Sequence, residues 1–149
     1  MDLRQQEVQS LVHKHQISLL GLVETRVKVT NSSHILQNLL RGWRALDNYA
    51  YHPNGRIWVL WNLVVMDINM LYTSDQMVHV SATFLEKQVT FHASFIYGFN
   101  TPEERLSLWA DIVNLRGQIP WILMGDFNII RFPSERIGGN MDWPPYMET

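Results

Sequence analysis

Between Ile57 and Ile96 the chain passes through four apolar stretches separated by short polar segments, and helical periodicity is confined to the flanks. Ile57 to Trp61, Val64 to Tyr72, Val78 to Phe84 and Val89 to Ile96 read as strands. In the third, Val78, Val80, Ala82 and Phe84 alternate with His79, Ser81 and Thr83, which predicts a half-buried antiparallel strand. Val64 to Tyr72 is too apolar to alternate cleanly, which predicts burial on both faces. Trp43 to Leu46 is a further strand. Pro53-Asn54-Gly55 is a turn signal, and Asn-Gly is favoured in hairpins.

The flanks supply the helices. Residues 3–15 read as helical, with Leu3, Val8, Leu11 and Val12 sharing a face. Ile17 to Val23 is a short buried strand that ends at Glu24. Thr30-Asn31-Ser32-Ser33 offers N-caps for a short helix over His34 to Leu40, with Gly42 just past its end. Residues 101–116 carry the clearest helix signature. There Thr101 is the N-cap, Pro102 the first helical residue and Glu104 the capping-box partner. Leu106, Trp109, Ile112 and Val113 form its apolar stripe, and Gly117 ends it. Pro120 then introduces a strand over Trp121 to Met124, and the Pro- and Gly-rich tail from Phe132 onward reads as loop. The order helix, strand, helix, several strands, helix, strand is mixed α/β. It predicts helices outside a largely antiparallel sheet or pair of sheets.

The 149 residues fit one domain with a sizeable core. Hydrophobic residues make up 46% and charged residues 17%, which excludes an intrinsically disordered chain. The net charge of −2, with no basic tail, argues against binding nucleic acid by phosphate neutralisation alone. A metal-dependent phosphodiesterase is less constrained, because its cation supplies local positive charge. The absence of cysteine rules out disulfides, thiolate metal sites and cysteine nucleophiles. The polar start, Met1-Asp2-Leu3-Arg4, begins no signal peptide, and no apolar run approaches membrane-spanning length. A nuclear or cytoplasmic, non-secreted protein without a membrane partner is expected.

Polar residues with chemical potential recur at strand exits. Glu24-Thr25 follows Leu19 to Val23. Tyr97-Gly98-Phe99-Asn100 follows Phe95-Ile96. Gly125-Asp126-Phe127-Asn128 follows Ile122 to Met124. Asp126 and Asn128, two residues apart, point the same way along an extended backbone. Such a pair suits a divalent metal, a water or a phosphate, and an ordinary Gly-Asp-x-Asn turn is the competing reading. If the three strands are neighbours, a glutamate, a tyrosine, an aspartate and an asparagine converge on one pocket, which suits phosphoryl transfer. Glu24 is then the ligand for a hard cation such as Mg²⁺. Asp126 orients or deprotonates water, and Asn128 and Tyr97 donate hydrogen bonds to phosphate oxygens. Taken singly, Glu24 reads first as a solvated strand end and Tyr97 first as a core-edge tyrosine. His79 and His92 read as packing or solvent-facing residues. His13 and His15 do not share a helix face and so make no metal pair. Lys28, Arg131 and Arg136 read as surface charges.

Glu24-Thr25-Arg26-Val27, Ile96-Tyr97-Gly98 and Gly125-Asp126-Phe127-Asn128 stand in the order and rough spacing of one known set. With them the chain resembles the endonuclease/exonuclease/phosphatase superfamily, the DNase I-like fold. It is most similar to the endonuclease region of plant non-LTR retrotransposon polyproteins, which also contain a reverse transcriptase. Gly55-Arg56-Ile57-Trp58-Val59-Leu60-Trp61 and the run from Gly125 to Gly139, with Phe132-Pro133-Ser134-Glu135-Arg136, resemble that branch.

The resemblance implies a partial four-layer α/β/β/α sandwich of mostly antiparallel and mixed sheets. It also implies Mg²⁺- or Mn²⁺-dependent nicking of DNA. By position Glu24 matches the metal-binding glutamate, Tyr97 the phosphate-side tyrosine, and Asp126 and Asn128 the Asp-x-Asn pair. The family's opening asparagine strand and its closing Ser-Asp-His have no counterpart here. The expectation is therefore that residues 1–149 form a single, incomplete domain of impaired activity, a piece of a retroelement polyprotein. A non-catalytic remnant or a nucleic-acid- or protein-binding module is the alternative.

Overall fold

The computed structural model describes residues 2–129. The tail with its expected loop, Arg131, Arg136 and the branch-specific run beyond Ile129 lies outside the described residues. Two sheets pack face to face. The first contains β1 (Leu19–Val23), β3 (Ile57–Asn62) and β2 (Trp43–Asp47) in the order β1-β3-β2, all antiparallel. The second contains β4 (Met66–Thr73), β5 (Met77–Phe84), β6 (Val89–Tyr97) and β7 (Trp121–Asp126) in chain order. Its first three strands are antiparallel, and β7 joins β6 in parallel. Helices α1 (Leu3–His15) and α2 (Val29–Leu39) cover the first sheet, and α3 (Leu106–Leu115) covers the second. The layers are therefore α/β/β/α, as expected.

Central position explains why β3 is apolar throughout. Ile57, Val59 and Trp61 face the second sheet, where they meet Val78, Val80 and Phe95. Trp58 and Leu60 face α1 and α2. Gly21 on β1 lets the sheets approach, since a Cβ there would stand 2.2 Å from the Phe95 ring. Helix α1 begins at Asp2, whose carboxylate accepts from the Gln5 N–H at 2.9 Å, and ends at Gln16 with left-handed backbone.

Several local expectations change on contact with the tertiary structure. Helix α2 starts at Val29, so Thr30 to Ser33 lie inside it rather than capping it; Ser32 bonds back to the Val29 carbonyl at 2.7 Å. Packing of Ile35, Leu36 and Leu39 against Trp58 and Leu60 outweighs the capping preference. Asn54-Gly55 closes no tight hairpin. Residues 48–56 form a longer loop, held by buried Asn48, which accepts from the Ile57 N–H and donates to the Ser74 and Asp75 carbonyls.

Strand β4 is an edge, not a doubly buried strand. Met66 and Ile68 face inward, Asp67, Asn69, Met70 and Leu71 are exposed, and a bulge falls between Met70 and Tyr72. The Thr101–Glu104 capping pair forms, but it closes a turn ahead of α3. The helix then buries Leu108 and packs Trp109, Ile112 and Leu115, leaving Leu106 65% and Val113 57% exposed. β7 is also an edge among the described residues, with Ile122 51% exposed, and it extends two residues further than expected.

Candidate active site

The parallel register of β6 and β7 sets Tyr97 beside Asp126 at the C-terminal ends of both strands. Gly125 makes this approach possible. Its φ is +137°, and a Cβ would stand 2.0 Å from the Ile96 carbonyl oxygen, so only glycine fits. Beyond it the backbone turns instead of staying extended. The Asn128 N–H donates to Asp126 Oδ1 at 2.8 Å, and Asn128 has a φ of +52°. The extended Asp126–Asn128 geometry expected from spacing is thus replaced by an Asx turn. That turn is tied to the neighbouring loop at two points. The Gly98 N–H donates to the Asp126 carbonyl at 2.8 Å, and Asn128 Nδ2 donates to the Gly98 carbonyl. Asp126 and Asn128 are therefore tied to each other and to Gly98, with Tyr97 beside them in the strand register.

Glu24 belongs to the other sheet. Val23, just before it, pairs with Ile57, and Arg56, just before Ile57, lies over the Tyr97 ring at 5.4 Å from its centroid. Thr25 Oγ1 donates to the Gly55 carbonyl. The chain of contacts Thr25–Gly55, Arg56–Tyr97 and Tyr97–Asp126 puts the exits of β1, β6 and β7 at one end of the sandwich. Among the described residues, however, the hydrogen-bond partner of the Glu24 carboxylate is Arg26, not the Tyr97–Asp126–Asn128 group. Both side chains of that ion pair are solvent-accessible. Glu24 also borders a cleft of about 290 Å³ on the helix side, lined in part by Arg4, Gln5, Val8, Leu22 and Trp58.

Sequence reasoning did not pick out Arg56 as a site residue, although it lies in the quoted Gly55–Trp61 run. It also missed His52, whose ring stands 6.3 Å from that of Phe99 on the adjoining loop. Burial and the nearby Arg56 guanidinium hold His52 below the ordinary histidine pKa, against the opposite pull of Asp75. It is thus neutral at physiological pH, leaving Arg56 as the cation over Tyr97.

Among the described residues no group of three or more His, Cys, Asp or Glu side chains is placed to hold a metal. The donor chemistry nonetheless fits a hard divalent cation. Such an ion takes one or two carboxylates and completes its shell with water and phosphate oxygens. Glu24 offers an accessible carboxylate at the rim.

No family model and no curated protein matches the chain. Solved structures do. The endonuclease domain of TRAS1, a telomere-specific non-LTR retrotransposon, is similar with a TM-score of 0.66 at 16% identity, over 86% of this chain and 56% of that one. A mannosyl-6-phosphatase of Bacteroides thetaiotaomicron gives 0.62 at 13% identity, over 85% and 57%. D. rerio TDP2 complexed with single-strand DNA product gives 0.58 at 11% identity, over 85% and 54%. The fold is the DNase I-like fold of the endonuclease/exonuclease/phosphatase proteins. The chain spans little more than half the length of these structures. Identities this low speak to architecture alone, and the neighbours include phosphatases and nucleases.

Proposed function

We propose that this chain carries part of a metal-dependent phosphodiesterase centre acting on DNA, of the kind found in retroelement endonucleases. The observation that supports this most is the hydrogen-bonded Asp126–Asn128 turn in register with Tyr97 at adjacent strand ends, with Arg56 over Tyr97. Three elements remote in sequence meet there with one acid, one amide, one phenol and one cation. In this reading Asp126 takes the proton of the attacking water as the new P–O bond forms and the bond to the sugar oxygen breaks, the leaving oxygen taking a proton from solvent water. Tyr97 and the second N–H of the Asn128 amide donate to phosphate oxygens as charge builds, and Arg56 adds positive potential. Glu24 would hold Mg²⁺ or Mn²⁺, which supplies charge neutralisation and a more acidic bound water. The retrotransposon endonuclease and the DNA-bound structure among the fold neighbours favour nucleic acid over a sugar phosphate as substrate.

A plasmid-nicking assay with Mg²⁺ tests the reading. Asp126→Ala should lower the nicking rate by about 100-fold or more. Equal nicking by both proteins would identify a contaminant and end the proposal. The Glu24–Arg26 ion pair favours a second reading, a nucleic-acid-binding domain without catalysis, because the carboxylate is already engaged. Salt-dependent DNA binding with no nicking in either protein would select it.

A further inference from the structure

We propose that Gln76 and Arg105 are positioning residues that fix the Asp126–Asn128 turn by clamping the two peptide groups that flank Phe99. The proposal rests on the phosphodiesterase reading for its functional meaning, but its geometry stands separately. Gln76 is 1% exposed and Arg105 6% exposed, and neither touches Asp126 or Asn128 through any hydrogen bond among the described residues. They grip the loop between β6 and α3 from opposite sides. Gln76 Oε1 accepts from the Phe99 N–H at 2.8 Å, and Arg105 Nη1 donates to the Phe99 carbonyl at 2.8 Å. The Gln76 amide nitrogen donates onward to the Glu104 carbonyl and the Ser107 hydroxyl at the start of α3. Its backbone carbonyl accepts from the Tyr97 N–H at 3.0 Å.

The Gly98–Phe99 peptide, whose N–H Gln76 holds, carries the grip across to the candidate site through its carbonyl. Gly98 donates its N–H to the Asp126 carbonyl and receives the Asn128 amide on its own carbonyl. A rotation of the Phe99 peptide would turn that carbonyl away from Asn128. Gly98 lies close against the following segment, since a Cβ there would stand 2.7 Å from the Phe127 carbonyl oxygen. The path runs from Gln76 and Arg105 to Phe99, then Gly98, then Asp126 and Asn128.

The cost of Arg105 supports a role beyond packing. Its Nε is buried without a partner, and among the described residues no carboxylate pairs with it. A buried guanidinium in that condition is disfavoured against an apolar side chain of similar volume. Its return is the bond to Phe99, one peptide away from the turn.

Amide hydrogen exchange of the full chain, followed by NMR, tests the clamp. In Gln76→Ala, exchange at Phe99 and Gly98 should rise about ten-fold or more, while the Val59 amide in the first sheet is unchanged. Gln76→Glu keeps an acceptor for the Phe99 N–H but loses the amide donor to the Glu104 carbonyl, so it should restore protection at both sites only in part; Arg105→Lys keeps the charge but loses the fork geometry and should release Phe99 in part. Should Gln76→Ala not fold, those two variants carry the test. A rise at Phe99 with no change at Gly98 would overturn the proposal, as would an equal rise at Val59. In the nicking assay Gln76→Ala should lower kcat and leave KM for DNA unchanged. A wild type that does not nick defeats the phosphodiesterase reading, while the exchange pattern still decides the clamp.

Discussion

Acidification should loosen the second sheet through one histidine. His79 on β5 is buried on the outer face of that sheet, where Nδ1 meets Ser94 Oγ at 2.7 Å. The same hydroxyl oxygen accepts from Trp121 Nε1 at 2.8 Å, and the His92 and Trp121 rings close around the imidazole. Ser94, which receives the indole donor, can direct its own proton at Nδ1 when that nitrogen is unprotonated. Burial first, and the neighbouring His92 second, lower the His79 pKa from 6.5 to about 4. Between these values the unfolded chain binds a proton that the folded chain does not. The stability contribution is therefore complete above about pH 6.5 and is lost as pH falls toward 4. Linkage gives a loss of about 2 kcal/mol by about pH 5 and a ceiling of about 3 kcal/mol, since each tenfold change in protonation constant is worth about 1.4 kcal/mol. Access of water at the β7 edge makes these upper values. Urea unfolding of wild type and His79→Asn at about pH 7.5 and about pH 5 isolates the histidine from the carboxylates, because only the difference in pH dependence is read. Wild type should lose more stability than the variant. Equal losses would show that His79 titrates normally and that the buried network is not held neutral.

Two packing predictions follow. Gly125→Ala should destabilise by about 3 kcal/mol or more in urea unfolding, since the added Cβ meets the Ile96 carbonyl at 2.0 Å with φ at +137°; a loss below about 1 kcal/mol would mean that the turn relaxes freely. On α3, Leu108→Ala should cost about 2–5 kcal/mol, whereas Leu106→Ala, at a position 65% exposed, should stay within about 0.5 kcal/mol. Reversed values would restore the helical stripe expected from sequence periodicity.

The parts of the fold legible in sequence were those where local pattern and tertiary burial agree. The apolar run of β3 reads as a strand because both its faces are covered. The inward set Val78, Val80 and Ala82 shows in the alternation of β5, but the pattern leaves His79 open between packing and solvent. What buries His79 is Trp121, more than forty positions away, and no periodicity reports that. The α3 stripe holds at Trp109 and Ile112 and fails at Leu106 and Val113 for a related reason. Leu106 and Leu108 are equally apolar, and only the position of the sheet below decides which one is covered. At the site, Gly125-Asp126-Phe127-Asn128 advertised itself through composition. Gln76 did not, because a glutamine in a strand connection carries no signal until its loop partners are known. The Glu24–Arg26 pairing was hidden too, since it depends on left-handed backbone at both residues.

That backbone makes Glu24 itself testable. Glu24 has a φ of +56° and Arg26 of +51°, a conformation that costs a residue with a Cβ about 1–2 kcal/mol. Thr25 on the Gly55 carbonyl and Tyr49 on the Val27 carbonyl hold the segment in place. Strain kept at an acidic residue beside a candidate site points to function. Comparing Glu24→Ala with Glu24→Gly separates strain from charge. Both lose the carboxylate and the exposed ion pair, so their difference reports only the backbone. Glycine should be the more stable variant by about 1 kcal/mol despite its larger unfolded-state entropy. Both variants should lose Mg²⁺-dependent nicking to the same extent. If alanine were the more stable, residue 24 would not occupy the left-handed region in solution. If nicking survived in both, the metal would have to be held elsewhere, and Glu24 would return to being the solvated end of a strand.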